Sequence, residues 1–287
     1  MDISETRRCN LWNLNKLADY LSVERDVLKA YYDEILQDQV FLAELNARVR
    51  FVRQEHGFTL GIFAREQIDS VDWFAFERIL LYVLVRYLRP SSSLETGVFY
   101  GGNTAFLLAA LKQNGHGKLV SVDLPDSVIR QAGTSDDYPR HPLVGDSEFY
   151  DQPLQPGFIV PVRLKDRWEL VEGDSLVEIP RRSEMFDLYI HDSDHSMAFL
   201  RAELALAHER LRSDATIVVD DIDWSNGFFE FCVERRLKPV LFTDNGKDDL
   251  RVRIGIAKLD HGDNSVPAFT GLSPDSSSRM GFEETVQ

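Results

Sequence analysis

The stretch "SLETGVFYGGNTAFLLAALKQNGHGKLVSVDL" (93–124) decides the fold. It opens on a short apolar run that ends at Glu95, turns through Gly97, Gly101 and Gly102, and runs into a helix-length apolar segment starting at Asn103. Gly115 closes that segment, and a second apolar run follows, ending on Asp123. Two short strands joined by a helix must lie parallel, because only a crossover connection of this length lets the chain return in the same direction. The alternation continues downstream. Strands are predicted at "WELVEG" (168–173), "FDLYIHD" (186–192) and "ATIVVDD" (215–221), with "SMAFLRAELALAHERLR" (196–212) as a helix between the last two. The pattern predicts an α/β fold, a doubly wound and mostly parallel sheet with helices on both faces. Near the end, "PVLFT" (239–243) and "VRIGIAKL" (252–259) are separated only by a polar turn, too short for a crossover helix, so they are expected to pair antiparallel.

Working outward, the first 90 residues have a different texture. Pro90 is their only proline, and helical apolar spacing runs through "VERDVLKAYYDEILQDQVFLAELNARV" (23–49) and "SVDWFAFERILLYVLVRYLRP" (70–90). Residues 1–90 are therefore expected to form a helical N-terminal extension, acting as a lid or as an oligomer interface, with a homodimer the expected assembly. Residues 91–260 would form the α/β domain, interrupted by the proline-rich segment 125–167, whose length suggests a substrate wall or lid. Residues 261–287, rich in Ser, Gly and Asp, read as a flexible tail.

Composition excludes several classes of function. The chain holds 47 acidic against 32 basic residues, a formal charge of −15, and no Lys/Arg cluster, so nucleic acid is not an expected partner. The apolar run "ILLYVLVRYL" (79–88) is too short to span a bilayer, and no membrane partner is expected. Two cysteines without a CxxC pattern and without a secretory signal fit the cytoplasm. A small-molecule substrate is the remaining expectation.

The chemistry-bearing residues fall at predicted strand ends. In "ETGVFYGGNT" (95–104), Glu95, Gly97, Gly101, Asn103 and Thr104 lie where a strand gives way to a helix N-terminus, and glycines there let backbone N–H groups approach a ligand. The GxxxGG spacing departs from the dinucleotide GxGxxG pattern, and the Gly-Lys-Ser/Thr of a phosphate loop is absent. Asp123 closes the next strand, where a carboxylate can accept both hydroxyls of a ribose. Asp174 and Ser175 leave the following strand, in reach of an adenine edge. Two denser groups follow. "YIHDSDHSMA" (189–198) carries Asp192, Asp194 and His195, and "VVDDIDWS" (218–225) carries Asp220 and Asp221. Carboxylates crowded at neighbouring strand ends repel one another unless a cation neutralises them, and an oxygen-only set suits Mg²⁺, with Mn²⁺ or Ca²⁺ as alternatives. His191, by strand alternation, points away from this group and reads as packing. Trp224 is a candidate substrate wall.

The glycine loop, Asp123 and "EGDSL" (172–176), in this order and ahead of a terminal hairpin, resemble the S-adenosylmethionine-dependent methyltransferases of the Rossmann-like class I. The resemblance covers roughly residues 70–260. The acid after the fourth strand and the acid pair after the fifth look like the metal-dependent O-methyltransferases, and the "HDSDHS" wording resembles their bacterial sugar and natural-product branch. The resemblance implies methyl transfer from S-adenosylmethionine to a hydroxyl of a small molecule. It implies a cofactor held by Glu95, Gly97, Gly101, Asn103, Thr104, Asp123, Asp174 and Ser175, and a metal held by Asp192, Asp220 and Asp221. The catechol type places a general-base Lys three residues after the first metal acid. His195 stands there in this sequence, and Asp194 is its rival for the role. Two other readings stay open: a nicotinamide-dependent oxidoreductase on a similar sheet, and a non-catalytic assembly protein that retains the cofactor pocket.

Overall fold

The glycine loop is flanked by β1 (Ser92–Thr96) and β2 (Lys118–Asp123), bridged by helix α5 (Gly102–Asn114). The other strands are β3 (Trp168–Glu172), β4 (Phe186–His191), β5 (Leu211–Val219), β6 (Val240–Asp244) and β7 (Arg251–Lys258). This is a computed structural model, describing residues 2–57, 61–124, 155–244 and 251–259. All seven strands join one sheet in the order β3-β2-β1-β4-β5-β7-β6. The pairs among β1 to β5 are parallel, whereas β7 runs antiparallel to both β5 and β6. The fold is the expected doubly wound sheet with an antiparallel end. The later strand of the hairpin is the inner one, because β7 buries Ile254, Ile256 and Ala257 against β5 while β6 takes the edge.

Strand alternation divides the core into two layers. One face of the sheet presents Leu119, Leu188, Ile190 and Val218 to α5 and to the N-terminal helices, among them α4 (Phe76–Leu88). The other presents Leu94, Val120, Tyr189, Ile217 and Val219 to α6 (Ser175–Arg181), α7 (Met197–His208) and α8 (Gly227–Arg235). The N-terminal helices share their core with the sheet. Phe41 meets Phe106 of α5 edge-on, with ring centroids 5.1 Å apart.

Two sequence expectations change in detail. The single helix read over 23–49 is two, α2 (Arg25–Gln37) and α3 (Gln39–His56). They part at Asp38, whose carboxylate accepts the N–H of Phe41 at 2.9 Å and starts the new helix. The segment 70–90 begins as a 3₁₀ turn (Val71–Trp73) before α4, which stops at Arg89 in the left-handed conformation (φ 51°), directly before Pro90. Helix α1 (Ile3–Leu21) precedes these, opened by a capping box between Asp2 and Glu5. Most of the expected 125–167 insertion and all of the expected tail lie outside the described residues; within the former, Val162–Arg167 forms a 3₁₀ helix.

Candidate functional site

Strand register brings the singled-out residues to one edge. Thr96 pairs with Val122 and with His191, and His191 pairs with Val219. The next residues, Gly97, Asp123, Asp192 and Asp220, therefore emerge side by side where the parallel strands end. The ladder even continues one step past the strands, with Asp192 N–H donating to Thr96 at 2.9 Å and Asp220 N–H to His191 at 3.0 Å. Carboxyl ends of parallel strands are where open α/β sheets bind ligands.

The glycine loop is tight because the chain itself occupies the space a side chain would need. A Cβ on Gly97 (φ +81°) would sit 1.9 Å from the Asp192 carbonyl oxygen, and one on Gly101 (φ +88°) 2.7 Å from Gly157 Cα. Gly97→Ala is expected to cost about 3 kcal/mol or more, since left-handed strain and a backbone clash add. Chemical denaturation measures this, and a loss below about 1 kcal/mol would contradict the geometry. Phe99, in the same loop, is also left-handed (φ 50°). Its N–H and that of Val98 donate to Asp123 Oδ2 at 2.7 and 3.1 Å, while Leu124 N–H donates to Oδ1 at 2.8 Å. Burial raises the Asp123 carboxyl above its ordinary value despite these bonds. Oδ1 takes one N–H and keeps acceptor capacity.

The other residues singled out for the cofactor are held by the protein. Glu95 is fully buried, accepts the hydroxyls of Thr104 (2.9 Å) and Ser121 (2.5 Å), and is pushed up to about 8 by burial. Asp174 caps α6 by accepting the N–H of Leu176 at 2.9 Å, and Ser175 donates its hydroxyl to Glu203. Asn103, at the start of α5, turns toward the acids.

Three carboxylates converge there. Oxygens of Glu77, Asp192 and Asp220 lie within 4.8 Å of one another. Asn103 Nδ2 donates to Glu77 Oε1 and to Asp192 Oδ2, each at 2.9 Å. Burial first, and then repulsion by Asp220, raises the Glu77 and Asp192 carboxyls well above their ordinary values, with Arg78 partly opposing. Asp221 is not in this close trio, although its charge also raises Asp192. Its backbone is left-handed (φ 47°), and its Oδ1 accepts from Arg253 at 3.1 Å, both side chains buried. His195 Nε2 lies 3.9 Å from both Asp192 Oδ1 and Asp221 Oδ2, and its ring is 5.7 Å from that of Trp224. The Asp194 carboxylate accepts the N–H of Ser196 at 2.7 Å, bracing the turn into α7.

A family model described as a methyltransferase domain matches residues 94–222, from within β1 to the turn beyond the acid pair. Over that stretch the chain is similar to a methyltransferase domain. Among solved structures it is similar to TomG, an O-methyltransferase from Streptomyces achromogenes involved in tomaymycin synthesis, in complex with SAM: 16% identity, 82% of this chain and 96% of the other, TM-score 0.49. It is similar also to an O-methyltransferase from Bacillus cereus in complex with SAH: 15% identity, 79% and 99% coverage, TM-score 0.47. No curated protein matches the chain.

Glu77 lies outside the matched stretch, on α4, and motif reading passed over it because the helix reads as apolar packing. The available signal was local. Glu77 is buried between Phe76 and Ile79, and glutamate is almost never fully buried without a partner. Glu203, also passed over, is a buried hub within the matched stretch. It accepts from Thr96 Oγ1 (2.9 Å), Tyr189 (2.8 Å) and Ser193 (3.0 Å), and from Ser175 and His191 Nδ1. His191 is thus fully buried on the Glu203 side.

Proposed function

We propose that this protein is an S-adenosylmethionine-dependent O-methyltransferase that methylates a hydroxyl of a small molecule, a sugar or natural product, with the help of a divalent cation. The observation that carries the reading is the convergence of the methyltransferase domain's glycine loop and an oxygen-only acid cluster on one sheet edge. When bound, S-adenosylmethionine supplies an electrophilic methyl group, and a divalent cation such as Mg²⁺ acidifies and orients a hydroxyl beside it.

The residues fit both groups. Asp123 keeps acceptor capacity on Oδ1 for a ribose hydroxyl, at the strand end beside Gly97. Asp192 and Asp220 present the hard oxygens that Mg²⁺ prefers, and a cation between them would offset their mutual repulsion. His195 would take the acceptor's proton on Nε2, its atom nearest the acids. Asp194 is the second candidate, with Oδ1 accepting the Ser196 N–H at the turn into α7. Trp224, 48% exposed beside His195, would wall the acceptor. Among the described residues no helix is long and apolar enough to cross a membrane.

Transfer of a labelled methyl group to a panel of sugar and phenolic acceptors tests the reading. Transfer is expected to fall at least about tenfold in chelator and to return with added Mg²⁺. Undiminished transfer in chelator would remove the metal from the account.

A further inference from the structure

The carboxylate that neighbours Asp220 in sequence is not the one that neighbours it in the cluster. Asp221 follows Asp220 directly, yet its left-handed backbone turns it toward Arg253, whose guanidinium lies 3.1 Å from Oδ1 with both side chains buried. Arg253 comes from β7, and its carbonyl also accepts the N–H of Ile222, so the turn after Asp221 is fastened to that strand. A buried carboxylate already compensated by a guanidinium has little electrostatic reason to take a metal ion as well. Glu77 is in the opposite state. It is 3% exposed, sits in mutual reach of Asp192 and Asp220, and receives one hydrogen bond from the Asn103 amide.

Asn103 supplies an observation independent of the acids. The residue is 4% exposed, and among the described residues its Oδ1 has no hydrogen-bond partner, although buried amide oxygens are nearly always satisfied. Its Nδ2 bridges Glu77 and Asp192. Turning the amide over would exchange Nδ2 for Oδ1 at that position. Against carboxylates alone such a turn is repulsive, and with a cation between them it adds a fourth oxygen donor.

We propose that Glu77, from helix α4 of the N-terminal region, is the third carboxylate ligand of the divalent-cation site with Asp192 and Asp220, while Asp221 is held by Arg253 outside it. The inference rests on the metal reading above. It makes the N-terminal helices part of the site itself, since α4 lies before the matched methyltransferase domain.

Titration of the full chain with Mn²⁺ alone, with free Mn²⁺ followed by electron paramagnetic resonance, tests it. Glu77→Gln and Asp192→Asn are each expected to weaken Mn²⁺ binding at least about tenfold, and Asp221→Asn to leave it within about threefold. Wild-type affinity in Glu77→Gln, with binding lost in Asp192→Asn, overturns Glu77 as a ligand and leaves the metal reading standing. A loss in Asp221→Asn as large as in Asp192→Asn overturns the exclusion of Asp221. No binding by the wild type overturns both. Should Glu77→Gln fail to fold, anomalous diffraction from Mn²⁺-soaked wild-type crystals decides the same point. A metal peak bonded to Glu77 and not to Asp221 is expected, and the reverse contradicts the proposal.

Discussion

Asp192→Ala is expected to lower methyl transfer by about a thousandfold, roughly 4 kcal/mol of transition-state stabilisation, while leaving S-adenosylhomocysteine affinity within about threefold. Asp192 is the acid at which the acid cluster, Asn103 and His195 all meet. Its backbone carbonyl, which packs on Gly97, is untouched by the substitution. The same change should raise the metal-free melting temperature. Burial and the charges of Asp220 and Asp221 hold the Asp192 carboxyl well above its ordinary value, so its ionised form destabilises the fold. Labelled-methyl turnover, calorimetry and a melting curve together measure this. A variant that loses activity, cofactor and stability alike would mark Asp192 as a structural residue. Sites built for chemistry commonly trade stability in this way.

Glu203→Ala is expected to destabilise the protein by roughly 3–5 kcal/mol, the cost of leaving several buried polar groups without their acceptor. His191 Nδ1, Tyr189, Thr96, Ser175 and Ser193 all direct donors at this one carboxylate. They come from β1, β4, the start of α6 and the turn after Asp192, so the loss would loosen four segments at once. Although burial opposes ionisation, the charge of His191 and these donors together bring Glu203 down to about 2. A carboxyl whose folded value is depressed contributes its stability above the unfolded value and loses it as pH falls. Its share is therefore present above about pH 4.5 and disappears toward pH 2, some 3 kcal/mol in total. Denaturation of the wild type and of Glu203→Gln across that range measures it. Equal pH slopes for the two proteins would contradict the assignment.

The sheet was legible because its signals are local. Apolar runs closed by Glu95, Asp123, Asp192 and Asp220 announce strands whose ends share an edge, and Gly115 closes the helix between the first two. The break at Asp38 was legible in principle, since an aspartate three residues before Phe41 is a helix-start signal, but the apolar period continues across it and hid the boundary. The placing of β7 inside β6 was not legible from the hairpin alone, because either strand could have paired with β5. The acid cluster was legible only in part. Strand ends sharing an edge bring Asp192, Asp220 and Asp221 together, but they do not reveal the left-handed turn of Asp221 toward Arg253 from β7, 32 residues away. Glu77 is 115 residues before Asp192, on a helix whose apolar period conceals the one buried acid, and only tertiary packing brings the two together.

Calorimetric titration with S-adenosylhomocysteine and, separately, with NAD tests the central claim most directly. Saturable one-to-one binding of S-adenosylhomocysteine is predicted, lost in Gly97→Ala, with no heat from NAD. Binding of NAD without S-adenosylhomocysteine would contradict the methyltransferase reading and favour a nicotinamide enzyme on the same sheet.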